Sequence, residues 1–177
     1  RLFDIFTNLR YNFNVKIGGE NMRTLYILCG PPASGKSTWA QNFIKEHERT
    51  AYVSRDTIRL SILKEGEDYF SHEKEVFKQF VAAIAHYIPY DDVIADATHL
   101  DIFSRCKLIQ ALDMYTHDYE IVFVVFNVDA NTCIERNKVR EGRRNVPENI
   151  IRNMCRDFRM PTMDEDERVI DIIEVSD

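Results

Sequence analysis

The stretch Leu25-Tyr26-Ile27-Leu28-Cys29-Gly30-Pro31-Pro32-Ala33-Ser34-Gly35-Lys36-Ser37-Thr38-Trp39-Ala40 decides the fold. A short apolar run stops at glycine and proline, which reads as a buried strand entering a tight loop. From Lys36 the apolar residues Trp39, Ala40, Phe43 and Ile44, with His47, recur at helical spacing. Between strand and helix, Gly30 to Ser37 fits G-x-x-x-x-G-K-[ST]. Glycines at these positions let backbone N–H groups wrap around phosphate oxygens, and the helix that follows adds the positive end of its dipole. A glycine-rich turn with an exposed lysine is the alternative, and the flanking strand and helix argue against it. The expected ligand is ATP or another nucleoside triphosphate, held by Gly30, Pro31, Pro32, Ala33, Ser34, Gly35, Lys36, Ser37 and Thr38. Lys36 would reach the β- and γ-phosphates, and Ser37 would ligate Mg²⁺. Cys29 reads as a small buried strand residue rather than a nucleophile.

Outward from this loop, strands and helices alternate. Strands are expected at Ala51–Ser54, Val93–Ala95, Tyr119–Asn127 and Val169–Val175, the third of these apolar enough to be buried on both faces. A helix follows the first of them through Ile58 and Leu63. Another covers about Ser71–Tyr87, with Val76, Phe80, Val81 and Ile84 as its apolar face. Asp101 and Asp129 are placed to cap helices, and Pro147 suits the first turn of a last helix running to about Met160. The pattern predicts an α/β fold: a mostly parallel five-stranded sheet covered by helices on both faces. Residues 1–22 differ. Leu2, Ile5, Phe6 and Leu9 suggest a short amphipathic helix, and Met22 precedes the first strand directly. They are expected to be an extension outside a catalytic unit at 23–177.

Composition excludes several classes. No apolar run exceeds six residues, the length of Ile121–Phe126, against about 20 for a membrane-spanning helix. Arg1–Arg10 lacks the pattern of a secretory signal. The four cysteines (Cys29, Cys106, Cys133, Cys155) form no C-x-x-C pair, which favours a reducing, cytoplasmic setting. Twenty-three basic against 29 acidic side chains give a net charge of −6, so the whole chain is no basic coat for nucleic acid. Charge is uneven, however: residues 136–159 hold eight Lys or Arg against three acids, and residues 160–177 hold seven acids and one Arg. Either these are ordinary solvated faces, or an anion-handling segment precedes an acidic edge.

In a parallel sheet ligands sit at the carboxyl ends of the strands. Ser54-Arg55-Asp56-Thr57-Ile58-Arg59 therefore lies on the acceptor side of the γ-phosphate. There Asp56 can accept a proton from an attacking hydroxyl, and Arg59, one turn on, suits an acceptor phosphate. An N-capping aspartate with a solvated arginine is an equal reading of the same spacing. Asp96, in Asp96-Ala97-Thr98-His99, can serve the metal's water shell, orient Arg59, or cap a helix. His99 reads as a polar loop residue before a general base. Arg136 and Arg140 are four apart and share a helical face, in a cationic segment that can close over the nucleotide.

These blocks together resemble the kinase domain of the phage and bacterial polynucleotide 5′-hydroxyl kinases, within the P-loop kinase group. The resemblance runs from about Arg23 to Val175 and rests on G-P-P-A-S-G-K-S-T-W-A, S-R-D-T-I-R, D-A-T-H-L, R-N-K-V-R, and V-P followed by Ile150, Ile151, Met154 and Phe158. It implies a three-layer sandwich with an arginine-bearing lid at about residues 137–146. It implies Asp56 as general base, Arg59 on a phosphate of the acceptor strand and Asp96 supporting that arginine, with Arg55 beside them as a substrate contact. Lys36 and Arg140 would be catalytic, Arg136 and Arg140 would contact ATP from the lid, and nucleic-acid 5′-hydroxyl ends would be the substrate. Arg143 and Arg144 are extra basic residues in the lid. Such kinases often carry a phosphatase, ligase or other repair domain, and none is expected within these 177 residues. The acceptor is open between DNA, RNA and another hydroxyl, namely a nucleoside, a small metabolite or a hydroxymethylated base. A non-catalytic nucleotide-binding module is the third reading, and oligomeric state is open.

Overall fold

The apolar run ahead of the glycine loop becomes the middle strand of the sheet. The computed structural model describes residues 22–142 and 145–176. In chain order the elements are β1 (Arg23–Cys29), α1 (Lys36–Glu46), β2 (Thr50–Ser54), α2 (Arg55–Ile62), α3 (Glu73–Tyr87), β3 (Asp92–Asp96), α4 (Ile102–Leu112), β4 (Tyr119–Val125), α5 (Ala130–Asn137), α6 (Glu148–Asp157) and β5 (Val169–Glu174), with a 3₁₀ turn at Met163–Glu165. The strand order is β2-β3-β1-β4-β5, and every pairing is parallel. The expected short helix near the start of the chain, and Arg143 and Arg144, lie outside the described residues.

The side-chain alternation of β1 and β4 builds two cores. Leu25, Ile27, Cys29, Ile121, Phe123 and Val125 face α3 and α4, meeting Phe80, Ile84, Leu108 and Leu112. Leu28, Val122, Val124 and Phe126 face α1, meeting Ala40, Trp39 and Phe43. Burial on both faces explains why β4 has no polar alternation, and each fully buried side chain of this kind contributes roughly 1.5–3 kcal/mol. A small third cluster, Val128, Cys133, Ile134 and Ile151, joins α5 to α6.

Capping sets the helix starts. Asp101 caps α4 in a reciprocal box with Ser104, and Asp129 caps α5 through the N–H groups of Asn131 and Thr132. α3 begins at Glu73 rather than near Ser71, because Ser71 is held in a turn: its N–H and its hydroxyl both donate to the Asp68 carbonyl.

Candidate active site

Three neighbouring strands end side by side at one edge of the sheet. Ser54 of β2 is level with Asp96 of β3, which is level with Leu28 of β1. With about 4.8 Å between strands, the start of α2 sits roughly 10 Å from the glycine loop, and Asp96 lies between them.

The loop has a fixed shape. Gly30 N–H donates to the Thr98 carbonyl at 2.8 Å, and a Cβ on Gly30 would meet the Phe126 carbonyl oxygen at 2.7 Å. Ala33 and Gly35 have positive φ, 63° and 102°, a conformation that glycine adopts without strain. The N-terminus of α1 has no side-chain cap and no acid in its first turn. Its N–H groups and dipole are left to an external anion. Lys36 is buried, and its Nζ donates to the carbonyls of Gly30 (3.0 Å) and Pro31 (2.6 Å). Burial pulls its pKa below the ordinary lysine value, Asp96 acts upward, Arg140 downward, and Asp56 upward. The acids and the arginine therefore converge electrostatically on this ammonium.

Ser37 and Asp96 form the metal-type pair. Ser37 Oγ donates to Asp96 Oδ2 at 2.7 Å, and Tyr52 Oη donates to the same oxygen at 2.5 Å. Burial, then the Asp96 charge, push the Tyr52 phenol up to about 12, so it stays a donor. A hydroxyl and a carboxylate beside an open anion cradle are hard oxygen donors, the set that suits Mg²⁺. The residues fit that ion, which Ser37 and Asp96 would hold.

Asp96 does not support Arg59, which corrects the expectation. Arg59 on α2 faces α3, and its carboxylate partners come from there and from its own helix. Nε and Nη2 donate to Glu73 Oε1 at 2.9 and 2.6 Å, and Nη1 donates to Asp56 Oδ1 at 2.5 Å. Tyr69 Oη accepts from Arg59 Nη1 at 3.2 Å and donates to Asp56 Oδ1 at 2.9 Å. The rings of Tyr69 and Phe70 lie 4.6 and 5.6 Å from the Arg59 guanidinium. Arg59 is thus buried and engaged, not poised in the open for an acceptor phosphate. Neither is Asp56 a helix cap: Ser54 fills that role through the Thr57 N–H. Asp56, in the first turn, presents its carboxylate to solvent at 64% exposure, with Arg59 and Tyr69 fixing one oxygen. Arg55 donates to Glu73 Oε2 at 2.7 Å, so one carboxylate holds both arginines.

Arg136 and Arg140 line the same cavity of about 590 Å³ as the glycine loop, Trp39, Asn42, Phe126, Val175 and Ser176. They do not share a helical face, because α5 ends at Asn137. The buried Asn137 side chain leaves the helix to hold the next loop, exchanging hydrogen bonds with the main chain of Val146 and donating to Asn145. His99 is the loop residue expected, and the fold buries it. It is buried with φ 40°, its Nδ1 lies 2.8 Å from the Leu28 carbonyl, and burial lowers its pKa to about 4. Cys29 is buried, and burial first of all raises its thiol to about 12, as an inert strand residue requires.

Sequence reasoning missed Glu73, Tyr52, the Trp39–Phe126–Val175 wall, and a buried ion pair. Arg105 Nε and Nη2 donate to Glu165 Oε2 and Oε1 at 2.7 and 2.6 Å, with both side chains almost fully buried. Glu165 belongs to the segment read as an acidic ending. No local pattern marks it, whereas the lone tryptophan, one turn after Lys36, was a usable signal for the cavity wall.

A parallel sheet in this order, with a phosphate loop after its middle strand and arginines lining the cavity, is the α/β fold of the P-loop kinases. The family model of the AAA domain (AAA_33) matches residues 25–161, and the chain belongs to that family. The fold implies nucleotide binding. Among solved structures, a chain of the Pnkp1/Rnl/Hen1 RNA repair complex is 25% identical with a TM-score of 0.68, covering 80% of this chain and 46% of its own length. The present chain therefore spans less than half of that relative. A fungal RNA kinase (10% identical, TM-score 0.62, 89% and 39% covered) and a gluconokinase from Sinorhizobium meliloti (15%, 0.53, 89% and 86%) share the fold. No helix among the described residues is long and apolar enough to cross a membrane.

Proposed function

We propose that residues 23–177 form an ATP- and Mg²⁺-dependent kinase that phosphorylates the 5′-hydroxyl of DNA or RNA. The observation that carries this is Asp56: a solvent-facing carboxylate at the end of β2, fixed through one oxygen by Arg59 and Tyr69, and felt electrostatically by the Lys36 ammonium. In this reading Asp56 takes the proton of the 5′-hydroxyl as its oxygen attacks the γ-phosphorus, and the bond to the β,γ-bridging oxygen breaks. Lys36 leaves the loop carbonyls for the β- and γ-phosphate oxygens. Arg136 and Arg140, in the lid at 137–146 and the helix before it, neutralise charge on the transferring group. Arg59 is a positioning residue for Asp56. Ser37, with Asp96 beside it, would hold Mg²⁺, which would supply positive charge against the phosphates.

The RNA repair relative and the RNA kinase support a nucleic-acid end, and the gluconokinase keeps a small-metabolite hydroxyl as the second reading. The test is transfer from labelled ATP to 5′-hydroxyl DNA, RNA, nucleoside 3′-monophosphates and gluconate, with wild type and Asp56→Asn. Asparagine keeps an oxygen for Arg59 and Tyr69, so ATP binding should persist while turnover falls about 10²–10⁴-fold. Wild-type turnover in that variant overturns the base assignment, and transfer to gluconate alone overturns the acceptor.

A further inference from the structure

We infer that the acceptor site continues into a track for the next nucleotides of a single strand, built by Arg55, Phe77, Phe103 and Lys107. The inference rests on the polynucleotide reading and extends it from a reacting end to a strand.

Helices α2, α3 and α4 pack in sequence. α2 and α4 begin just past the carboxyl ends of β2 and β3. Arg55 opens α2, directly beside Asp56. Its guanidinium carbon lies 5.6 Å from the centre of the Phe77 ring on α3, and Lys107 Nζ on α4 lies 4.6 Å from the same ring. Two cations from different helices thus meet one aromatic ring, and one of them, Arg55, adjoins Asp56 in the chain. Arg55 is only partly satisfied. It donates to Glu73 through Nη2, whereas its Nε is buried with no acceptor among the described residues. One turn before Lys107, on the same face of α4, Phe103 is 82% exposed. α4 carries no acidic residue between Ile102 and Leu112, although the chain as a whole has a net charge of −6.

Cations beside the exposed Phe103 ring suit a flexible phosphodiester. Guanidinium and ammonium groups meet the phosphates, and an open ring takes an unstacked base. A small metabolite ends at Asp56 and would not reach α4. The occupant is therefore single-stranded DNA or RNA, entering with its 5′ end at Asp56.

The experiment compares wild type with a Phe103→Ala/Lys107→Ala double variant, checked for wild-type circular dichroism and melting. KM is measured for a 5′-hydroxyl single-stranded 10-mer and for a nucleoside 3′-monophosphate. Binding of a 3′-labelled 10-mer is followed by fluorescence anisotropy across a salt series. The expected result is a 10-mer KM raised about tenfold relative to the mononucleotide KM, and a salt slope shallower by about 1. A double variant that binds the 10-mer as wild type does, or whose two KM values move in parallel, overturns the track. A wild type that transfers to no 5′-hydroxyl, yet loses 10-mer affinity in the double variant, supports the track and overturns the kinase reading instead.

Discussion

Glu73→Gln strikes where Arg55 and Arg59 converge. In the wild type the Glu73 carboxylate accepts two hydrogen bonds from Arg59 and one from Arg55, all at 2.6–2.9 Å. Glutamine keeps one oxygen and turns the other into an NH₂ facing a guanidinium. Hydrogen bonds to charged groups contribute about 1.5–3 kcal/mol each. The Glu73 side chain is 35% exposed, so water replaces part of the loss, and a net cost of about 2–3 kcal/mol is expected. It falls mainly on Arg59, whose side chain is 7% exposed and cannot turn to solvent. At about 2–4 °C per kcal/mol for a chain of this size, the melting midpoint should drop about 4–12 °C. With Arg59 loosened, Asp56 loses one of its two orienting partners, and kcat should fall about 10–100-fold, a misplacement effect. The KM for ATP should hold, because the glycine loop, Ser37 and Arg140 are untouched. Labelled-phosphate transfer to a 5′-hydroxyl 10-mer, with thermal circular dichroism on the same samples, measures both. A lowered midpoint with wild-type kcat would refute the positioning role and leave Glu73 as scaffold.

Glu165→Gln leaves the Arg105 guanidinium buried without its counter-charge; a loss of about 3–5 kcal/mol is expected, read as a lower urea midpoint. His99 has its folded pKa lowered to about 4, so the unfolded chain takes up this proton first. Its contribution to stability is complete above about pH 6.5 and is lost as pH falls from 6.5 to 4. His99→Asn, which tolerates the positive φ, should flatten that part of the stability profile, and an unchanged profile would show that His99 is not buried neutral. Ser37→Ala should raise the Mg²⁺ concentration for half-maximal transfer at least about tenfold, with melting within a few degrees of wild type because Ser37 is exposed. An unchanged Mg²⁺ requirement would remove Ser37 as the ligand.

Much of this molecule was legible along the chain, where each signal is local. The apolar run before Gly30, the largely apolar β4 and the 3.6-residue stripe of α3 depend on backbone periodicity and burial. So do the caps at Asp101 and Asp129. The glycine loop was legible because its glycines answer to backbone torsion and close approach. The same local view misled where a helix stops. Arg136 and Arg140 are four apart, but the Asn137 side chain bonds Val146 and ends α5 between them.

The sequence by itself determined a parallel α/β sheet, a phosphate loop and the set of charged residues at its edge. Which of those charges meet was decided only in three dimensions. Arg59 chose Glu73, 14 residues on, over Asp96. Asp96 took Ser37 and Tyr52, and Arg105 found Glu165 across 60 residues. Spacing fixes the face of a helix on which a side chain stands. The rotation and docking of that helix against its neighbours fix what the side chain touches, and those follow from packing of the whole core.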